Sequence, residues 1–169
     1  MQRRTLLKLG LGASVTLAVL GGGMAWLRPG LSGARLSEPA RALRRPVAEA
    51  VLDGSLPADT AARATALDAH LERLQATIAG FPPPTRSELS QLLSLLTTAP
   101  GRLAIAGLLQ DWPDAGVAAT QAALQAMRVS GVDLRRQVYQ ALRDLTNAAY
   151  YADASTWPLL GYPGPRALA

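Results

Sequence analysis

Over 169 residues the chain carries 32 alanines and 30 leucines against 8 valines and 2 isoleucines. Alanine and leucine lose least on entering a helix, and the β-branched residues that suit a pleated surface are scarce. The fold class that follows is all-α. A chain of this length buries one modest core and is too short for two ordinary domains with a linker. It holds no cysteine and a single histidine, His70. Disulfides, zinc–thiolate centres, iron–sulfur clusters and covalently attached c-type haem are thereby excluded. A Ser-His-Asp triad or a histidine metal site has almost no material to draw on.

The net charge of +5 raises nucleic acid as a partner, so the placement of the charge matters. Residues 1–34 hold Arg3, Arg4, Lys8 and Arg28 and no acid, while the remaining 135 residues set 13 arginines against 12 acids. A nucleic-acid binder concentrates its surplus on the folded domain. Here the surplus sits at an N-terminus that runs into an apolar stretch, so nucleic acid is not the expected partner. The pairs Arg44-Arg45 and Arg135-Arg136 read as solvated helix faces.

The N-terminus has the layout of an export signal: a basic leader, M-Q-R-R-T-L-L-K, then Leu9 to Leu27 without a charged residue. Arg3-Arg4-Thr5-Leu6-Leu7-Lys8 resembles the twin-arginine signature, with Arg3, Arg4, Leu6, Leu7 and Lys8 as its signal residues. Gly10, Gly12, Gly21, Gly22 and Gly23 dilute the apolar run, which suits that route better than a greasier signal. Ser32-Gly33-Ala34, followed by Arg35, offers small residues at peptidase offsets without being an A-x-A. The uncharged residues 9–27 also extend roughly 28 Å as a helix, close to a bilayer core. Cleavage and retention as a membrane anchor both remain open at this point. The positive leader keeps the N-terminus cytoplasmic in either case.

From Ser37 onward, helical stripes alternate with Pro and Gly punctuation. Ser37-Glu38-Pro39 starts a helix, Pro46 kinks or breaks it, and Asp53-Gly54 ends it. A second helix, from about Ala58 to Ala79, carries Leu67, Leu71, Leu74 and Ile78 on one stripe. Gly80 and Pro82-Pro83-Pro84 stop it and stiffen the connection. Thr85 and Glu88 have capping-box spacing ahead of Leu89, Leu92, Leu93 and Leu96. A short helix is expected near Leu103–Leu109, then a turn at Asp111-Trp112-Pro113-Asp114 with Asp114 capping the next helix. That helix has Val117, Gln121, Leu124 and Met127 on one face, and the last has Leu134, Val138, Leu142, Leu145 and Ala149. The expected organisation is a signal or anchor segment over 1–34, a domain of about five to six helices over 35–152, and an extended tail over 153–169.

Candidate chemistry is thin. His70, between Asp68 and Glu72 and one residue before Leu71, reads as a surface or half-buried histidine at a stripe border. Asp111 and Asp114 are explained by turn formation and capping rather than paired-carboxylate catalysis. No G-x-G-x-x-G follows a strand pattern, and no haem or flavin attachment residue stands out. The expectation is a chain that is not itself an enzyme, with no catalytic, cofactor-binding or metal residue.

The C-terminus is richer. Of eight aromatic residues, four fall between positions 150 and 162: Tyr150, Tyr151, Trp157 and Tyr162. With Pro163 and Pro165 they form a segment suited to docking on a partner, since aromatic anchors give large area at few torsions and proline holds a strand of chain extended. The same rings can instead close the protein's own core, and the two roles can coexist.

Tyr150-Tyr151, Trp157-Pro158 and Gly161-Tyr162-Pro163-Gly164-Pro165, behind a twin-arginine leader, resemble the gluconate 2-dehydrogenase subunit 3 family. These are the small (gamma) subunits of flavin-dependent dehydrogenases of the glucose–methanol–choline type. The resemblance covers the leader and roughly residues 100–165; residues 35–100 match in helical character alone. It implies a cofactor-free small subunit that escorts a signal-less, FAD-carrying dehydrogenase subunit through the twin-arginine translocase to the periplasm, with a cytochrome subunit often completing the assembly. Sorbitol and fructose dehydrogenase relatives carry a cysteine near the C-terminus, which this chain lacks. The alternative reading is a cell-envelope helical scaffold anchored by residues 9–27 and unrelated to an oxidoreductase. A stand-alone periplasmic enzyme is the weakest of the three. The partner's substrate is not legible in this chain.

Overall fold

The structure is a computed structural model and describes residues 28–164. The signal residues Arg3, Arg4, Leu6, Leu7 and Lys8, the apolar run 9–27 and Pro165 lie outside the described residues. Among those described, the architecture is all-α: six α-helices, two 3-10 helices and one two-residue-per-strand hairpin. The hairpin comes first, with β1 (Leu31–Ser32) antiparallel to β2 (Arg35–Leu36) and Leu31 paired with Leu36. The helices follow as α1 (Glu38–Val51), α2 (Thr60–Ala79), α3 (Pro83–Thr97), α4 (Ala99–Ala106), α5 (Gly116–Arg128) and α6 (Asp133–Tyr151). One 3-10 helix, Trp112–Asp114, precedes α5, and the other, Ala154–Leu160, follows α6.

Helix α1 is the central element: it packs against α2, α3, α5, α6 and the first 3-10 helix. Its buried face carries Ala40, Leu43, Val47 and Ala50, which meet Leu71, Leu74 and Ile78 of α2 and Leu93 and Leu96 of α3 in one core. Leu124 and Met127 of α5 and Val138, Leu142 and Ala149 of α6 complete it. Of the stripes expected from the sequence, Leu67, Leu71, Leu74, Ile78, Leu92, Leu93, Leu96, Leu124, Met127, Val138, Leu142 and Ala149 are buried, while Leu89, Val117, Leu134 and Leu145 pack half-buried at the margin of the core. Trp112 is buried too, and its indole N–H donates to the Leu96 carbonyl at 2.8 Å, pinning the turn before α5 to the end of α3. A smaller cluster of Ala48, Leu52, Leu56, Leu67 and Tyr150 closes the other end of α1.

Several boundaries differ from the sequence reading. Helix α1 runs through Pro46 without a break. Proline deprives only the Ala42 carbonyl of its amide partner, and both residues lie on the half-exposed side of the helix, where a lost backbone hydrogen bond costs less than in the core. The triple proline opens α3 instead of forming a connection: Pro82 is the N-cap, and Pro83 and Pro84 occupy first-turn positions whose N–H groups have no helical acceptor anyway. Thr85 consequently sits inside the helix, and the Thr85/Glu88 capping box is not formed. Helix α4 begins at Ala99, not Leu103, because the Thr98 hydroxyl caps it by accepting from Gly101 N–H at 3.1 Å. Asp114 does not cap α5; its residue belongs to the preceding 3-10 helix, and Asp111 instead pairs with Arg102 at 2.5 Å. No helix among the described residues is long and apolar enough to cross a membrane.

Candidate functional site

The candidate site is the junction of α6 with the C-terminal 3-10 helix. Helix α6 ends with Tyr150 and Tyr151 facing different ways. Tyr150 is buried, its hydroxyl donates to the Ser55 carbonyl at 2.8 Å, and burial raises its phenol pKa above the usual value. It belongs to the protein's own core, so the expectation that Tyr150 binds a partner is corrected. Tyr151 is half-buried and meets Tyr150 edge-on at 5.2 Å.

Over residues 153–169 the sequence reading expected extended chain. Residues 154–160 instead wind into a 3-10 helix, because local hydrogen bonds outweigh the extended preference of Pro158. The Asp153 carboxylate accepts from Ser155 N–H at 2.9 Å, and the Thr156 hydroxyl donates to the Asp153 carbonyl at 2.7 Å. Hydrogen bonds from Ser155, and less so the Arg73 guanidinium at 3.1 Å, hold the Asp153 carboxyl below its usual range. Arg73 also donates to the Ala149 carbonyl, so α2 grips both sides of the junction. Gly161, in the left-handed region at φ 66°, ends the turn, with Tyr162 N–H donating to the Trp157 carbonyl at 3.1 Å. Beyond Gly161 the described residues 162–164 are irregular chain.

Trp157 is the keystone of this arrangement. Its indole N–H donates to the Tyr151 carbonyl at 2.9 Å, and its ring carries Tyr162 on one side and Gly164 close by. What remains exposed is an apolar edge: Leu159 at 60%, Leu160 at 57% and Tyr162 at 46%, with Pro163 beside them. Leu159 and Leu160 were not singled out from the sequence. Their signal was present as two consecutive leucines between Pro158 and Gly161, where a 3-10 turn cannot hide both. The other exposed large apolar residues among those described are Leu103, Leu109, Val129 and Val132.

His70 and Arg44 differ most from expectation. His70 is fully buried, not at a border, and neither ring nitrogen has a hydrogen-bond partner among the described residues. Burial, then the charges of Arg44 and Arg73, push its pKa down to about 4. Arg44 is buried rather than solvated; it donates to the Leu142 carbonyl at 3.3 Å and the Thr146 hydroxyl at 2.8 Å, and burial lowers its pKa to about 10. Arg135 and Arg136 stay half-exposed and donate to the Ile105 and Ser130 carbonyls at 2.7 and 2.6 Å, Arg136 also pairing with Asp133. A histidine held neutral and closed off from solvent cannot meet a substrate, so this cluster is structural. Two shallow grooves flank the hairpin, one lined by Gly33, Pro83, Arg86 and Gln91, the other by Arg35, Arg41, Glu72 and Gln75; both are open to solvent. Comparison with protein-family models, curated proteins and solved structures finds no match.

Proposed function

We propose that this chain is a non-catalytic small subunit and export escort of a periplasmic flavin-dependent dehydrogenase of the glucose–methanol–choline type, whose FAD resides in the partner subunit. The observation that carries the reading is the exposed apolar edge of Leu159, Leu160 and Tyr162, held in place by the Trp157 hydrogen bond. An apolar edge fixed before binding loses little conformational entropy on docking. Tyr151, Trp157, Tyr162, Pro163 and Pro165 remain its proposed docking residues, Trp157 acting mainly by positioning the others. The R-R-T-L-L-K leader supports the export half of the reading. Flavin is inserted in the cytoplasm, so its enzyme must fold before it crosses; a twin-arginine signal on a tightly bound companion serves that need.

The experiment is to read the neighbouring reading frame for a flavin-binding dehydrogenase without a signal of its own and to co-express that protein with this chain; a neighbour of any other kind counts against the reading. Flavoprotein should reach the periplasm when this chain is present and stay in the cytoplasm when it is absent. Flavoprotein in the periplasm irrespective of this chain contradicts the escort role. The uncharged run 9–27 favours a second reading, a membrane-anchored envelope scaffold, which fits this chain sedimenting with membranes and no flavin associated.

A further inference from the structure

The first described residues are built into the fold. The Ser94 hydroxyl donates to the Arg28 carbonyl at 2.6 Å, and Ser37 N–H donates to the Gly30 carbonyl at 2.9 Å, closing the base of the hairpin. Leu31 N–H donates to the Ser90 hydroxyl at 3.0 Å on the α3 side, and Leu36 N–H donates to Gln75 Oε1 at 3.2 Å on the α2 side. Leu31 and Leu36 are both buried. Gly30 runs so close to α3 that a Cβ there would stand 2.5 Å from the Ser90 carbonyl oxygen.

A leader peptidase reads small residues at the third and first positions before the cut, and it must draw that stretch into its cleft as an extended strand. Ser32, Gly33 and Ala34 satisfy the size rule, but they form the end of β1 and the hairpin turn, tied to α2 and α3 from both sides. Cargo that crosses folded presents them in this state. Upstream, Leu9 to Leu20 is an uncharged apolar run of 12 residues, within the range of about 7–15 typical of such signals. Gly23-Met24-Ala25 follows, with small residues at both required positions and two residues of chain, Trp26 and Leu27, left before Arg28.

Resting on the export reading above, we propose that the leader is removed between Ala25 and Trp26, that Ser32-Gly33-Ala34 is not a processing site, and that the exported protein keeps the hairpin as its first structural element.

The test is the intact mass and N-terminal sequence of the full chain recovered from each cell fraction. Exported protein beginning at Trp26 is the expected result. Ala25→Gln should leave the exported chain at full length, and Ala34→Gln should change its mass by the substitution alone. An exported chain that begins at Arg35, or one that is uncut and membrane-bound in the wild type, overturns the proposal while leaving export intact. A chain confined to the cytoplasm overturns the export reading and the proposal with it.

Discussion

The ring of Tyr162 rests against the indole of Trp157, with centroids 5.3 Å apart and planes inclined by 58°. Trp157 is in turn tied by its N–H to the last turn of α6. Removing that anchor should loosen the tail without unfolding the domain, because the main core lies among α1–α6 and does not include Trp157. Trp157→Phe keeps most of the ring and loses a hydrogen bond worth about 0.5–1.5 kcal/mol net. Amide exchange should quicken over residues 156–162, with the melting transition of the helical domain nearly unchanged. A collapsed melt would show that the segment closes the core.

His70 gives the domain a pH dependence whose sign is determined by its lowered pKa. In the fold it is neutral, with a pKa of about 4 against 6.5 when free. Between those values the unfolded chain binds a proton that the fold refuses. Stability is therefore full above pH 6.5 and falls as the pH drops toward 4, by on the order of 3 kcal/mol in total. Asp153, also lowered, loses its contribution only at more acidic pH. Urea unfolding at about pH 7 and about pH 4.5 should show the loss in the wild type and a much flatter response in His70→Leu. Equal slopes in the two proteins would rule His70 out as the source.

Arg44 is a buried cation whose described hydrogen-bond partners are neutral oxygens. Its acceptors do not depend on it, because the Thr146 hydroxyl already donates to the Leu142 carbonyl at 2.7 Å. Arg44→Met should thus leave stability within about 1 kcal/mol of the parent or raise it, since an apolar side chain avoids the desolvation cost. It should also raise the His70 pKa by removing a neighbouring charge. Arg44→Glu places an unpaired carboxylate in the same site and should cost about 3 kcal/mol or more. Denaturant midpoints check both, and a strongly destabilised Met variant would contradict the account.

Gly30→Ala should separate the hairpin from α3. The new methyl meets a backbone oxygen and the Leu93 Cβ, 2.6 Å away, neither of which is the end of a flexible side chain. Overpacking of this kind costs about 1–3 kcal/mol, readable as a lowered melting temperature. Wild-type melting would mean that the hairpin shifts freely.

Arg3→Lys together with Arg4→Lys should stop export, because the paired arginines are the part of the leader that a lysine pair does not replace in the twin-arginine reading. Cell fractionation measures this, and wild-type amounts in the periplasm would remove the assignment.

Much of the fold was legible because leucine spacing reports a buried stripe directly: Leu67, Leu71, Leu74 and Ile78 are all buried on α2. Proline was not legible in the same way. Pro46 lies within a helix and Pro83 opens one, and the difference depends on whether a missing N–H had a partner to lose. Tyr150 and Tyr151 are adjacent and identical in type, yet the core takes the first, because a helix turns neighbouring residues about 100° apart. Arg44 and His70 read as surface residues because what buries them comes from distant parts of the chain, α6 above all. The tail's aromatic content was visible, whereas its 3-10 turn depended on the Ser155 and Thr156 hydrogen bonds around Asp153.

Central to the account is docking through the exposed edge, and the most direct measurement pairs flavoprotein capture with thermal melting for one variant, Leu160→Ala with Tyr162→Ala. Anchors of this type contribute about 2 kcal/mol each, roughly thirtyfold in affinity. The account predicts that the neighbouring reading frame encodes a flavoprotein, that the wild type retains it, seen by its flavin absorbance, and that the double variant loses it while melting as the wild type does. Retention of the flavoprotein by a normally folded double variant, or no flavoprotein on the wild type, would contradict it.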